Sequence, residues 1–244
     1  ALIDGGEKNR NAKDVDDGGI DGALAWDEDG RTPLEILCSK IVHECGDEEY
    51  SCPPPAHLWE SLALLVRATY FQSKRRNVAI ANGGNFSAEP FRMLHAMVEI
   101  GCPPAVIRHE LTMNPTQARE RGNRGRLPLS IAASLSSHWP DKEGGEIIRM
   151  LTDREMGYPQ AACIVDDDGR LPLHLISETK AQYHEGVQTI FQAAPRAIET
   201  RDVKTRLYPF MLAAVGENGC IDSTFCLLRE APAVLLSLEK NSFL

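Results

Sequence analysis

Apolar residues recur along the chain in short bursts, and five of those bursts share one spacing. Prolines 33, 90, 128, 172 and 209 are each followed by a large apolar residue: Leu34, Phe91, Leu129, Leu173 and Phe210. Further on come Ile36, Met93, Ile131, Leu175 and Leu212, with Leu37, Leu94, Ala132, Ile176 and Ala213 next to them. Offsets of one, three and four from the proline lie on one stripe of a helix. Proline suits the first helical position, where its fixed φ is helical and its missing N–H has no partner to lose. The five anchors follow one another at intervals of 57, 38, 44 and 37 residues.

A second set of apolar segments ends in proline: residues 106–113 before Pro115, 187–194 before Pro195 and 225–231 before Pro232. Residues 147–151 play the same part before Pro159, with Gly157 and Tyr158 at the helix end. From each helix-ending proline to the next anchor the chain runs 13, 13 and 14 residues, from Pro115 to Pro128, Pro159 to Pro172 and Pro195 to Pro209. The same count from Pro232 leads to position 245, where a further unit is expected. In the first unit, Pro53, Pro54 and Pro55 lead into a helix over 57–66 whose Leu58, Leu62 and Leu65 share a face. Relative to a 37-residue unit, about 20 residues of the first unit and about 7 of the third are expected to loop out.

Between the helices lies a recurring polar tip. The octet DEDGRTPL at 27–34 matches DDDGRLPL at 166–173, and NRGRLPL at 123–129 is a shorter copy. TRLYPF at 205–210 keeps the arginine and proline with Thr205 in place of glycine and one residue inserted, while SAEPF at 87–91 keeps little beyond the proline. Gly30, Gly125 and Gly169 stand where a left-handed residue reverses the chain. Helix, turn, helix and such a tip together resemble the ankyrin repeat, whose period is about 33 residues. Residues 166–176 carry Asp166, Gly169, Pro172, Leu173 and His174 in that family's slots, and 27–37 adds its threonine, Thr32. The resemblance implies an all-α solenoid of about five two-helix units, at 27–84, 85–122, 123–165, 166–202 and 203–244. An acidic, Gly-rich extension over 1–25 precedes the array at 26–244. By the same resemblance, tips and first helices form a concave face for another protein, so Glu35, Arg92, Ser130, His174 and Met211, two residues past each proline, are candidate contacts. Leu127, Leu171 and Tyr208 replace the family's threonine, so apolar burial between units is expected to dominate over tip hydrogen bonds.

Composition narrows the function. Residues 1–30 hold three basic and nine acidic side chains, a net −6 of the chain's −9, so the repeat body is nearly neutral. A negative chain is a poor general partner for nucleic acid or anionic membrane, and no apolar run approaches the ~18 residues that span a bilayer. The seven cysteines, at 38, 45, 52, 102, 163, 220 and 226, lack any C-x-x-C spacing, which points to free thiols in a reducing intracellular compartment, cytoplasmic or organellar. Dinucleotide-binding, P-loop, nucleophile-elbow and H-E-x-x-H signatures do not occur, so no enzyme and no cofactor is expected.

Three clusters carry candidate chemistry. Arg31, Arg126, Arg170 and Arg206 place one guanidinium beside each tip, either as a ladder that reads acidic groups of a partner or as pairs with the local acids Asp29, Asp168 and Asp202 that order the turns. His43, Cys45, Cys52 and His57 are ligand types that zinc prefers, but the spacing is wider than structural zinc sites use. Arg119, Arg121 and Arg124, with Arg126, make one tip basic, and Lys74, Arg75 and Arg76 add a short run. No aromatic residue interleaves with them to stack bases, which favours an acidic peptide over RNA as a guest, and an ordinary solvated tip over either. The expected role is a non-catalytic adaptor or scaffold. A permanently held structural subunit, or the regulatory part of an enzyme, is the alternative.

Overall fold

A computed structural model describes residues 27–45, 55–80, 91–139, 142–215, 219–234 and 236. The acidic extension, Cys52, Pro53, Pro54, Pro90 and the tail at 239–244 lie outside the described residues, as do the side chains of Cys45, Arg75 and Arg76. All regular structure among the described residues is helical. The α-helices are α1 (Pro33–Cys45), α2 (Ala56–Ile80), α3 (Met93–Ile100), α4 (Pro104–Met113), α5 (Pro128–Leu135), α6 (Glu143–Thr152), α7 (Pro172–Ser177), α8 (Gln188–Ala193), α9 (Pro209–Val215) and α10 (Ile221–Glu230). Short 3-10 turns follow α4, α6 and α8 at Pro115–Arg119, Pro159–Cys163 and Pro195–Glu199, and a π-turn, Tyr183–Val187, leads into α8.

The helices pair and stack in chain order. α3 packs on α4, α5 on α6, α7 on α8 and α9 on α10, while α3, α5, α7 and α9 each lie against the next of their row. On the other side α4 packs on α6, α6 on α8, and α10 on the π-turn before α8. One seam of buried side chains runs through all of them, including Leu94, Ile107, Leu129, Ile147, Leu173, Ile190 and Leu227.

The same start recurs at five helices. The first helical hydrogen bond runs from Ile36 to Thr32, Ala96 to Arg92, Ile131 to Leu127, Leu175 to Leu171 and Leu212 to Tyr208, at 3.0 to 3.2 Å. The second residue after each cap is Leu34, Leu94, Leu129, Leu173 or Phe210, all buried. Four of these helices begin at the expected proline. The fifth, α3, begins at Met93, three residues after Pro90, because proline is tolerated at the first position but not required there. Arg92 therefore caps α3 in extended conformation (φ −115°, ψ 114°). His95, rather than Arg92, stands in the column of Glu35, Ser130, His174 and Met211.

The first unit also departs from the sequence pattern. Its long interval holds a 25-residue helix, α2, where about 20 looped residues were expected. Leu58, Leu62, Val66, Thr69 and Gln72 are all buried, so the inward stripe continues well past residue 66. α2, not α1, lies along α3, and α1 rests against α4. This changes what the proline-based columns mean at α1. Ile36 is 41% exposed, whereas its counterparts Ile131, Leu175 and Leu212 are 8%, 3% and 5% exposed.

That contrast makes one prediction. Leu175→Ala should lower unfolding stability by about 2–5 kcal/mol, as filled core positions do. Ile36→Ala, in the same sequence column, should cost less than about 1 kcal/mol. Urea unfolding midpoints of the two variants measure both.

Candidate functional site

The tips are built to one plan. The residue six or seven before the helix-opening proline donates its N–H across the tip: Asp27 to the Arg31 carbonyl (2.9 Å), Gly122 to Arg126 (2.8 Å), Asp166 to Arg170 (3.0 Å) and Asp202 to Leu207 (2.8 Å). Each tip has a left-handed residue beside the closing one, Gly30, Gly125, Gly169 or Arg206, at φ 78°, 63°, 74° and 64°, and Arg124 at 58° is a second in its tip. Arg206 thus occupies the glycine slot, and Leu207 takes the place of Arg170. The sequence pattern had aligned Thr205 with glycine and Arg206 with the arginine column. The inserted residue instead precedes the reversal, because Thr205 is held at the acid: its N–H (3.2 Å) and hydroxyl (2.8 Å) both donate to Asp202 Oδ2.

Of the arginine column, Arg126 and Arg170 are turned toward the following tip. Arg126 Nε donates to Asp166 Oδ2 at 3.1 Å, and Arg170 Nε to Asp202 Oδ1 at 3.1 Å. Both carboxylates are fully shielded from solvent, and the Arg170 side chain is only 7% exposed. Asp166 meanwhile accepts the N–H groups of Asp168 and Arg170 on Oδ1, so one carboxylate shapes its own turn and holds the neighbouring arginine. Arg170 reaches Glu178 as well, at 2.9 and 2.6 Å. Burial disfavours its charge, but Glu178 and Asp202 outweigh that and keep its pKa above the ordinary value. Burial likewise acts to raise the Asp202 pKa, while Thr205 and Arg170 bring it below the usual carboxylate range. Arg31 differs: it pairs within its own tip, with Asp27 at 3.2 Å and Asp29 at 2.6 Å, all in solvent.

The other candidates are also engaged locally. Glu35 and Thr32 form a capping box at α1, where Glu35 accepts the Thr32 N–H at 2.7 Å and Thr32 Oγ1 accepts the Glu35 N–H at 3.2 Å. His174 does the equivalent at α7, where Nδ1 accepts the Leu171 N–H (3.2 Å) and Nε2 bonds the Thr200 carbonyl of the next unit (2.9 Å). Ser130 and His174 are buried, so neither faces solvent as a contact. Arg92 pairs with Glu120 at 3.3 Å.

His95 is the interlayer residue that the proline register hid. Its ring is buried and packs on Gly122, where an added Cβ would fall 2.5 Å from Cδ2, and it faces the Glu120 and Arg126 backbone of the next tip. Burial, then Arg92, pushes its pKa down to about 4. Read as M-L-H-A, residues 93–96 match P-L-H-x at 172–175; the histidine was the available signal. Buried Glu110 escaped notice too. It accepts from Asn114 (3.0 Å) and Gln117 (2.8 Å), and Gln117 in turn accepts the Leu94 N–H at the start of α3 (2.9 Å). Burial raises its pKa.

Among the basic residues, Arg119 lies over the Tyr158 ring at 5.3 Å, and Arg121 donates to the carbonyls of Gly125 and Val165, both at 3.2 Å. Lys74 pairs with Glu99. Of the four zinc-type side chains His43, Cys45, Cys52 and His57, the two histidines are exposed. Among the described residues no group of three or more His, Cys, Asp or Glu side chains is placed to hold a metal ion, and no helix is long and apolar enough to cross a membrane. No protein-family model matches the chain, and no curated protein matches it.

Two outcomes follow. Arg170→Ala leaves a buried Asp202 without its cation and should cost about 3–5 kcal/mol, whereas Arg31→Ala should cost at most about 1 kcal/mol in chemical denaturation. Between pH 6.5 and about 4, the unfolded chain protonates His95 while the folded chain does not. Stability should therefore fall with falling pH by on the order of 3 kcal/mol from this group. His95→Gln should flatten that slope in denaturation series run across the window.

Proposed function

We propose that the chain is a divergent ankyrin-like solenoid acting as a non-catalytic protein-interaction module, and that its tips form the recognition surface. The observation that carries this reading is the division of labour at the tips. Buried Asp–Arg pairs and the two histidines lock successive layers together, while the outer residues of the same turns stand in solvent at a recurring place. Such a ridge is stiff, so a partner meets side chains whose backbone is already ordered, which lowers the entropic cost of binding. The first helices contribute less than the family pattern implies. All six residues of α7 are buried, and α5 keeps its first six residues out of solvent.

Photo-crosslinking in native extract tests the reading. A crosslinker at Asn123 or Asp168, on the tips, should yield adducts with a second polypeptide, while one at Arg149, on the exposed side of α6, should not. Equal adducts from all three positions, or none from the tips, would refute it.

A further inference from the structure

Among the described residues, only two that are not glycine adopt positive φ, and both are tip arginines: Arg124 at 58° and Arg206 at 64°. A left-handed conformation is unfavourable for any side chain with a Cβ, and at the two other tips only a glycine, Gly30 or Gly169, adopts it. Arg206 stands in the glycine slot itself; Arg124 precedes Gly125, so tip 122–127 has two successive left-handed residues. Both are exposed. Unlike Arg31, Arg126 and Arg170, neither guanidinium makes a hydrogen bond or ion pair with a described residue.

The two tips flank the tip at 166–171 on either side. The Arg124 carbonyl accepts the Asp167 N–H at 2.9 Å, and Gly169 lies against Val203, so the three form one ridge. Along it Arg121, Arg124, Arg201, Lys204 and Arg206 are exposed, against Glu120, Asp167 and Asp168. One of those anions is already engaged, since Glu120 pairs with Arg92. The ridge is thus cationic on a chain whose net charge is −9. The rings nearest its cations, Tyr158 and Tyr208, are covered by Arg119 at 5.3 Å and Arg201 at 4.8 Å, and so are not free to stack bases.

We propose that Arg124 and Arg206 are the specificity-determining pair of the tip ridge, and that its guest is an acidic polypeptide segment with carboxylates at two points spanning the intervening tip. This rests on the interaction-module reading and names the partner's chemistry. Planar guanidinium groups on turns held by backbone bonds suit bidentate capture of carboxylates, and the strained φ aims them outward.

Glycine variants separate binding from folding, because glycine relieves the left-handed strain while removing the charge. An Arg124→Gly, Arg206→Gly double variant of the full chain should unfold at the same or a higher temperature. It should bind a fluorescent peptide of about ten glutamates at least tenfold more weakly than the parent. A control carrying Arg149→Ala and Arg154→Ala, which removes the same charge elsewhere, should bind within about twofold of the parent. Parent binding should weaken with added salt. Absent peptide binding, an equal loss in the control, or tighter binding of a single-stranded RNA of similar length would overturn the proposal. Tip crosslinks to a polypeptide that persist alongside such a result would leave the module reading standing and remove only the acidic guest.

Discussion

A layer made of two short helices cannot cover its own apolar stripe, and every other feature of this molecule answers to that constraint. α7 has six residues and none reaches solvent, so its burial is supplied by α5 on one side and α9 on the other. Helices this short are not stable alone, and packing rather than propensity holds them. The tips then have a second duty besides reversing the chain. They fix the spacing and tilt at which one layer meets the next.

Two different chemistries discharge that duty. Where a tip begins with Asp, as at 166 and 202, the carboxylate organises its own turn and takes the arginine of the preceding tip. Where it begins with Gly122, the imidazole of His95 fills the vacated space. His174 works beside the Asp–Arg pair between the later layers, bonding Thr200. The ionic pairs are buried, and their chief service is to register, since an equally well packed apolar pair contributes as much stability. A carboxylate that finds its arginine in only one alignment opposes slippage between layers.

The proline columns were legible because proline suits the backbone at the first helical position, and four of these five helices begin with it. α3 starts three residues after Pro90, because Met93 takes the opening position that proline holds in the other four helices. The inversion of α1 and α2 could not be read from periodicity, because an apolar stripe shows that a helix has a buried side but not which neighbour covers it. The arginines were visible as a column, and their pairing with local acids was one of two readings. Arg31 does pair with Asp29 in its own tip, but the aspartates that hold Arg170 and Arg126 lie 32 and 40 residues onward, a distance at which local sequence gives no contact information. Arg206 was misaligned for a simpler reason: an insertion of one residue can be absorbed on either side of a turn, and only the backbone reveals which.

The fit between His95 and Gly122 has a bearing on how such a chain changes over generations. A repeat array invites the view that its units are interchangeable cassettes, free to be duplicated or shuffled. Here the ring of one layer is keyed to a bare α-carbon in its successor, so a unit opening with Asp can follow α3 only if the His95 ring is replaced or takes another position, as His174 does beside Asp202. The order of the layers is thereby written into pairs of positions, and inheritance must move those pairs together.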